Sequence, residues 1–287
     1  MTTVAFIGLG VMGFPMAGHL AAKGHKVTVY NRNKAKAEQW VAKYGHAMAA
    51  TPREAVRGAE VAFCCVGDDP DVKAVVSGPD GMLGGMAPGT VIVDHTTASA
   101  DLARSLAKEC AGLSVGFVDA PVSGGQAGAE NGQLSVMCGG AESDFAKAAP
   151  IIQAYAKACK LLGPSGAGQL TKMVNQICIA GLVQGLAEAM NFGQRAGLNM
   201  EAVLEVISKG AAQSWQMENR GRTMCDGKFD FGFATDWMRK DLRICLDQAR
   251  STGARLPITS LIDQFYAEVQ AQGHGRWDTS SLMSLLK

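Results

Sequence analysis

Lys172, Asn175 and Gln176 stand at i, i+3 and i+4 within Gly166–Gln176, GAGQLTKMVNQ. On a helix these three side chains share one face. Leu170, Met173, Val174 and Ile177 supply a separate apolar stripe. A lysine beside such a stripe either extends its ammonium to solvent or sits in an enclosed place where it can move a proton. A second candidate is Ser123-Gly124-Gly125. Its glycines let backbone N–H groups approach an anion and its serine adds a hydroxyl, which makes either a carboxylate cradle or a flexible turn. A third is Gly8-Leu9-Gly10-Val11-Met12-Gly13, a spacing suited to a pyrophosphate. Thr96-Thr97 can donate to a nicotinamide amide or ribose, or can cap the helix that follows. The neighbouring His95 reads as structural.

These residues need a frame that brings them to one edge. Val4–Ile7 is a short apolar strand, followed by the glycine loop, a helix from about Phe14 to Lys23 and a second strand at Lys26–Tyr30. Strand, G-x-G-x-x-G, helix and strand within about 30 residues is the full dinucleotide-binding context. Gly8 permits the tight turn, Gly10 admits the phosphates and Gly13 allows close helix packing. After the second strand a carboxylate would accept from the ribose 2′-OH and favour NAD. This chain has Asn31-Arg32-Asn33 there. Asparagine does not repel a 2′-phosphate and Arg32 can pair with one, so NADP is favoured over NAD.

Further strands are expected at Glu60–Val66, Thr90–Asp94, Val115–Asp119, Leu134–Cys138 and roughly Lys160–Leu162, separated by helical patterns. Continuous apolar strands alternating with helices predict an α/β fold, a doubly wound, mainly parallel sheet. In such a sheet ligands lie beyond the carboxyl ends of the strands, where Val66, Thr96, Thr97 and Ser123 fall. From residue 164 the pattern is helical only. Residues 1–163 are therefore expected to bind the nucleotide, and 164–287 to form an all-α domain. A long helix is expected over Ala167–Arg195. Its Gly181, Gly185 and Ala189 form a small-residue ridge that predicts burial against another helix. Further helices are expected from Asn199 to about Lys209, over Thr235–Ser251 and over Leu256–Gln272. A short terminal helix is expected after Asp278 or Thr279.

Lys plus Arg is 27 and Asp plus Glu is 26, so charge gives no reason to expect nucleic acid or an anionic membrane as partner. The eight cysteines include no C-x-x-C and no zinc spacing, so no metal is expected and a reducing compartment is. MTTVAFIGLG enters a strand without a basic segment or a long apolar run, which predicts a soluble, cytosolic protein.

Taken together, GLGVMG (Gly8–Gly13), DAPVSGG (Asp119–Gly125), GAGQLTKMVN (Gly166–Asn175) and Lys240-Asp241 in WMRKDL resemble the β-hydroxyacid dehydrogenase family over essentially the whole chain. That family includes 3-hydroxyisobutyrate dehydrogenase, tartronate semialdehyde reductase and the glyoxylate/succinic semialdehyde reductases, and is more distantly similar to 6-phosphogluconate dehydrogenase. The resemblance implies that Lys172 is catalytic, that Ser123, Gly124 and Gly125 hold a substrate carboxylate, and that Asn175 orients the substrate. It implies that Thr96 or Thr97 touches the nicotinamide side and that Lys240 closes the site from the helical domain, near substrate and cofactor. It also implies a homodimer or homotetramer formed through that domain. The implied activity is hydride transfer between NAD(P) and a small hydroxy acid or its aldehyde acid, with the reductases as the alternative to 3-hydroxyisobutyrate dehydrogenase. A non-enzymatic NADP-binding scaffold would be expected to have lost the lysine, and imine reductases lack a lysine at that position. Many relatives have serine where Thr96 stands; the hydroxyl is retained.

Overall fold

Apolar runs of four to seven residues set the frame of the structure, a computed structural model that describes residues 1–286. Chain contacts divide it into two compact units, Met1–Lys172 and the chain from Met173 onwards. In the first unit β1 (Thr3–Ile7), α1 (Gly13–Ala22), β2 (Lys26–Tyr30), α2 (Lys34–Tyr44), β3 (Ala47–Met48), α3 (Pro52–Ala55) and β4 (Val61–Cys64) come first. Then follow α4 (Asp69–Ser77), β5 (Val91–Asp94), α5 (Ala100–Ala111), β6 (Gly116–Asp119), β7 (Val122–Ser123) and α6 (Gly125–Glu130). The last of the sheet elements are β8 (Leu134–Gly140), α7 (Glu142–Ile152) and β9 (Ala156–Leu161).

The sheet runs β3-β2-β1-β4-β5-β6-β8-β7, with β9 paired to β8. Strands β3 through β6 are parallel, β8 is antiparallel to β6 and β7, and β9 is parallel to β8. The chain turns away from β1 in both directions, to β2 and to β4. The Gly8–Gly13 loop leaves β1 at this switch point, where open α/β sheets bind their ligands. Both faces are covered, so alternate residues of one strand enter different cores. Phe6 joins Leu20, Trp40, Phe63 and Tyr155 on one face, whereas Ile7 joins Met82, Ile92, Leu106 and Phe117 on the other.

The helix α8 (Ala167–Arg195) begins in the first unit and continues into the second. The second unit adds α9 (Met200–Ile207), α10 (Trp215–Cys225), α11 (Thr235–Thr252), α12 (Pro257–Ala271) and a 3₁₀ turn at Thr279–Leu286. By length and apolarity α8 is one helix that could cross a membrane. Its Ala180, Val183, Leu186, Ala187 and Met190 instead form a core with Met238, Leu242, Ile262 and Tyr266. Asn199 caps α9 and Pro257 opens α12, as their positions predict. Asp278 accepts from Ser280 N at 3.0 Å and so caps the terminal turn.

Several expectations are corrected. The Gly181–Gly185–Ala189 ridge is not buried within this chain: Gly185 and Ala189 are exposed, and a Cβ on Gly185 would meet no atom within 4 Å. Helix α10 was not anticipated, because only Met217, Gly221 and Met224 of its 11 residues are buried and the apolar period is faint. Strand β9 begins at Ala156, four residues before the expected start, since its first residues carry Lys157 on an exposed position.

Candidate active site

At the glycine loop, side chains are excluded where the backbone must turn and admitted where a ligand would lie. Gly8 has φ +95°, and a Cβ there would collide with the Cys65 carbonyl oxygen. A Cβ on Gly13 would collide with the Gly8 carbonyl oxygen. A Cβ on Gly10 meets nothing within 4 Å, and Val11 beside it is 53% exposed. The loop therefore offers an open backbone face at the start of α1, whose first-turn N–H groups suit a pyrophosphate. The Leu9 side chain is buried in the core and its N–H donates to Asn31 Oδ1 at 2.9 Å. Asn31 Nδ2 in turn donates to Asn33 O at 2.9 Å, so Asn31 ties the loop to the end of β2. Asn33 accepts from Ala35 N and caps α2. Arg32 lies between them in the chain, 85% exposed at its side chain, and makes a surface ion pair to Asp71 at 3.4 Å. It is within the region that would read a ribose substituent.

At the ends of β4 and β5 the two threonines separate in role. Thr96 is buried, and its hydroxyl accepts from Val66 N at 3.0 Å while its N–H donates to Asp94 Oδ1 at 2.9 Å. Thr97 is only half-buried. Neither caps α5; Ser99 does, accepting from Leu102 N. Burial pushes the Asp94 carboxyl up to about 6, against the lowering effect of its bonds from Thr96. His95 is structural, as its position suggested. Its Nδ1 bonds Ala120 O at 2.6 Å, so Nδ1 carries the proton, and Nε2 accepts from the Tyr155 hydroxyl at 2.8 Å. Burial lowers its pKa to about 4.

Helix α8 is anchored by buried polar groups. Asp119, at the end of β6, accepts from Gly166 N at 2.7 Å and Gln169 N at 2.9 Å, satisfying donors at the helix start. Burial raises the Asp119 pKa while these backbone bonds draw it back. The Gln169 side chain donates to Thr96 O at 2.7 Å and accepts from Ala98 N at 3.0 Å. One turn on, Lys172 is 7% exposed, which rules out the solvated alternative, and its Nζ donates to Val122 O at 2.9 Å. Val122 immediately precedes Ser123-Gly124-Gly125. There Gly124 has φ +136° and Gly125 φ +61°, and a Cβ on Gly125 meets nothing within 4 Å. The ammonium thus lies beside the turn with open backbone.

In the second unit, Asn175 Nδ2 donates to Gln176 Oε1 at 2.8 Å, and Gln176 Nε2 donates to Asp241 Oδ2 at 2.6 Å. Lys240 turns inward, with 12% of its side chain exposed, and pairs with Asp241 at 3.1 Å. Its neighbour Arg239 is held by Asp263 and Gln270. Sequence reasoning had not singled out Asp119 as a cap, or Gln169 and Gln176 as network members. Their partners lie 47 to 73 residues away in the chain, beyond any local signal.

A mainly parallel sheet with an open glycine loop at its switch point, followed by a helical unit, is the frame of a dinucleotide-binding enzyme. Comparison with known proteins gives the narrower class. Residues 3–163 match the family described as the NAD binding domain of 6-phosphogluconate dehydrogenase, and 166–286 match that of NADP-dependent 3-hydroxyisobutyrate dehydrogenase. An uncharacterized oxidoreductase of Shewanella frigidimarina is 62% identical, over 100% of this chain and 99% of that protein. The 2-hydroxy-3-oxopropionate reductase of Escherichia coli is 32% identical over 99% of this chain and 97% of its own. The solved 3-hydroxyisobutyrate dehydrogenase of Mycobacterium tuberculosis, with L-serine, is 31% identical with a TM-score of 0.89, covering 100% and 99% of the two chains. The chain belongs to the β-hydroxyacid dehydrogenase family and is an NAD(P)-dependent oxidoreductase acting on CH–OH groups.

Proposed function

We propose that this enzyme interconverts a small hydroxy acid and its aldehyde acid, with Lys172 as proton donor and acceptor and NADP as the preferred nucleotide. The nucleotide, when bound, supplies or takes the hydride. Everything else falls to the chain. The observation that carries the reading is the Lys172 ammonium, buried and 2.9 Å from the carbonyl that precedes Ser123-Gly124-Gly125. A carboxylate held by the Ser123 hydroxyl and the Gly124–Gly125 backbone would place its neighbouring carbon within reach of that amine. In reduction Lys172 gives a proton to the carbonyl oxygen; in oxidation it takes one from the hydroxyl. Asn175, one turn along the same helix face, orients the reacting oxygen.

The Gly10, Val11, Met12 and Gly13 loop takes the pyrophosphate, Arg32 with Asn31 the ribose end, and Val66 and Thr97 the nicotinamide side. The buried Thr96 supports them. Arg32 supports NADP because it is charged, exposed and flanked by amides, with no carboxylate of its own segment at the ribose position. The relatives' names, a 2-hydroxy-3-oxopropionate reductase and a 3-hydroxyisobutyrate dehydrogenase, support a three- or four-carbon acid bearing an aldehyde or primary alcohol. We further propose a cytoplasmic homo-oligomer, assembled through the helical unit. Its support is the apolar outer side of α8, where Val174 is 62% and Phe192 72% exposed.

The test is a panel of tartronate, succinic and methylmalonate semialdehydes, with two-carbon glyoxylate for comparison, with NADPH and NADH, and of the matching hydroxy acids with NADP and NAD. One aldehyde acid should be reduced with a clear NADPH preference. Turnover of none of them, or equal use of both nucleotides, contradicts the proposal.

A further inference from the structure

Gln169 is 1% exposed, and hydride transfer and carboxylate binding assign it no task. Its carboxamide is bonded at both ends to a single loop. Nε2 donates to Thr96 O and Oε1 accepts from Ala98 N, the backbone groups on either side of Thr97. A carboxamide so placed fixes the intervening residue as a ladder of backbone bonds would. Thr96 is already held through its own N–H and hydroxyl, so the effect of the clamp falls on Thr97. The backbone N–H of Gln169 is itself held by Asp119. Lys172 follows three residues later on the same helix, one turn along the same face.

We propose that Gln169 is a positioning residue that registers Thr97 against Lys172. The hydroxyl on the nicotinamide side and the proton-moving amine are then held at a fixed spacing. This rests on the roles given above to Thr97 and Lys172. The carboxamide is the one group of this length that meets both partners. A carboxylate would set an oxygen against the Thr96 carbonyl, and an apolar chain would leave two buried groups without partners. Misplacement of one group by about an ångström costs on the order of a hundredfold in rate.

The experiment uses the full chain with NADPH and whichever aldehyde acid of the panel is reduced fastest. Gln169→Met, close in volume, should lower kcat at least about tenfold. Thr97→Ala should lower it comparably. Because both act on the same hydroxyl, the double variant should fall no further than about threefold below the worse single one. Gln169→Glu serves as the second variant and should lose activity likewise, should the methionine variant fail to fold. Losses that multiply in the double variant contradict the clamp. So does near-wild-type kcat in both Gln169 variants while Thr97→Ala is impaired. Full activity in Thr97→Ala contradicts the reading of the site as well as the clamp.

Discussion

Arg32 follows β2 and His95 follows β5, both at the carboxyl ends of parallel strands, yet their surroundings give them opposite characters. Arg32 is a charged, exposed side chain with one weak surface partner, available to an added phosphate. Arg32→Asp should weaken NADPH binding far more than NADH binding, measured by fluorescence titration; equal effects would contradict its assignment. His95 is buried between a carbonyl and a tyrosine hydroxyl and is the neutral imidazole at neutral pH, its one ring proton bonded to Ala120 O. In the unfolded chain it takes a proton near 6.5, in the fold only near about 4. The stability this represents is complete above pH 6.5 and is lost as pH falls toward 4, by about 2 kcal/mol at pH 5. Asp94, held up to about 6, works the other way: its ionisation costs stability as pH rises from about 4 to 6. In denaturant titrations His95→Gln should therefore lose the acid-side decline and grow more stable relative to its own pH 7 value as pH falls to 5.

The same separation of scaffold from ligand face holds within the loop between β1 and α1. Gly8→Ala combines a positive φ with a collision against backbone and should cost roughly 2–4 kcal/mol of stability. Gly10→Ala meets open space, so it should leave the thermal midpoint nearly unchanged and weaken NADPH binding instead. A matched loss of stability in both variants would show that the open face of Gly10 is not where the phosphates lie. The strands β1, β4, β5 and β6 were legible in the sequence because covered parallel strands are near-continuous apolar runs, and β2 because Val27 and Val29 alternate with more exposed residues. The bounds of α8 were legible because Gly166 and Gly197 punctuate a continuous helical period. The antiparallel turn of β8, by contrast, depends on pairing between Asp119 and Gly139, which no local pattern encodes. Helix α10 escaped for lack of an apolar stripe. Of the site, the lysine, the Ser-Gly-Gly turn and the glycine loop are visible as residue types at fixed spacing. The bonds that aim them, from Asp119, Gln169 and Asp241, arise only when distant segments meet.

For the whole molecule, the exposed Gly185 and Ala189 leave a long apolar side of α8 without a cover in the single chain. Small residues there allow a second helix to come close, and Phe192 at 72% exposure adds the area of an aromatic ring. Phe192→Glu should shift the protein toward monomer in sedimentation velocity while leaving its helical content intact; an unchanged oligomer would place the interface elsewhere. Catalysis in this proposal rests on the buried amine on α8 moving the proton. Lys172→Ala removes that amine and leaves the glycine loop, Arg32 and the Ser123–Gly125 turn in place. The most direct measurement is therefore NADPH affinity and turnover of Lys172→Ala side by side. The NADPH Kd should stay within about threefold of wild type while kcat falls by roughly two to four orders of magnitude, the span of general acid–base catalysis. A kcat near that of wild type would contradict the proposal.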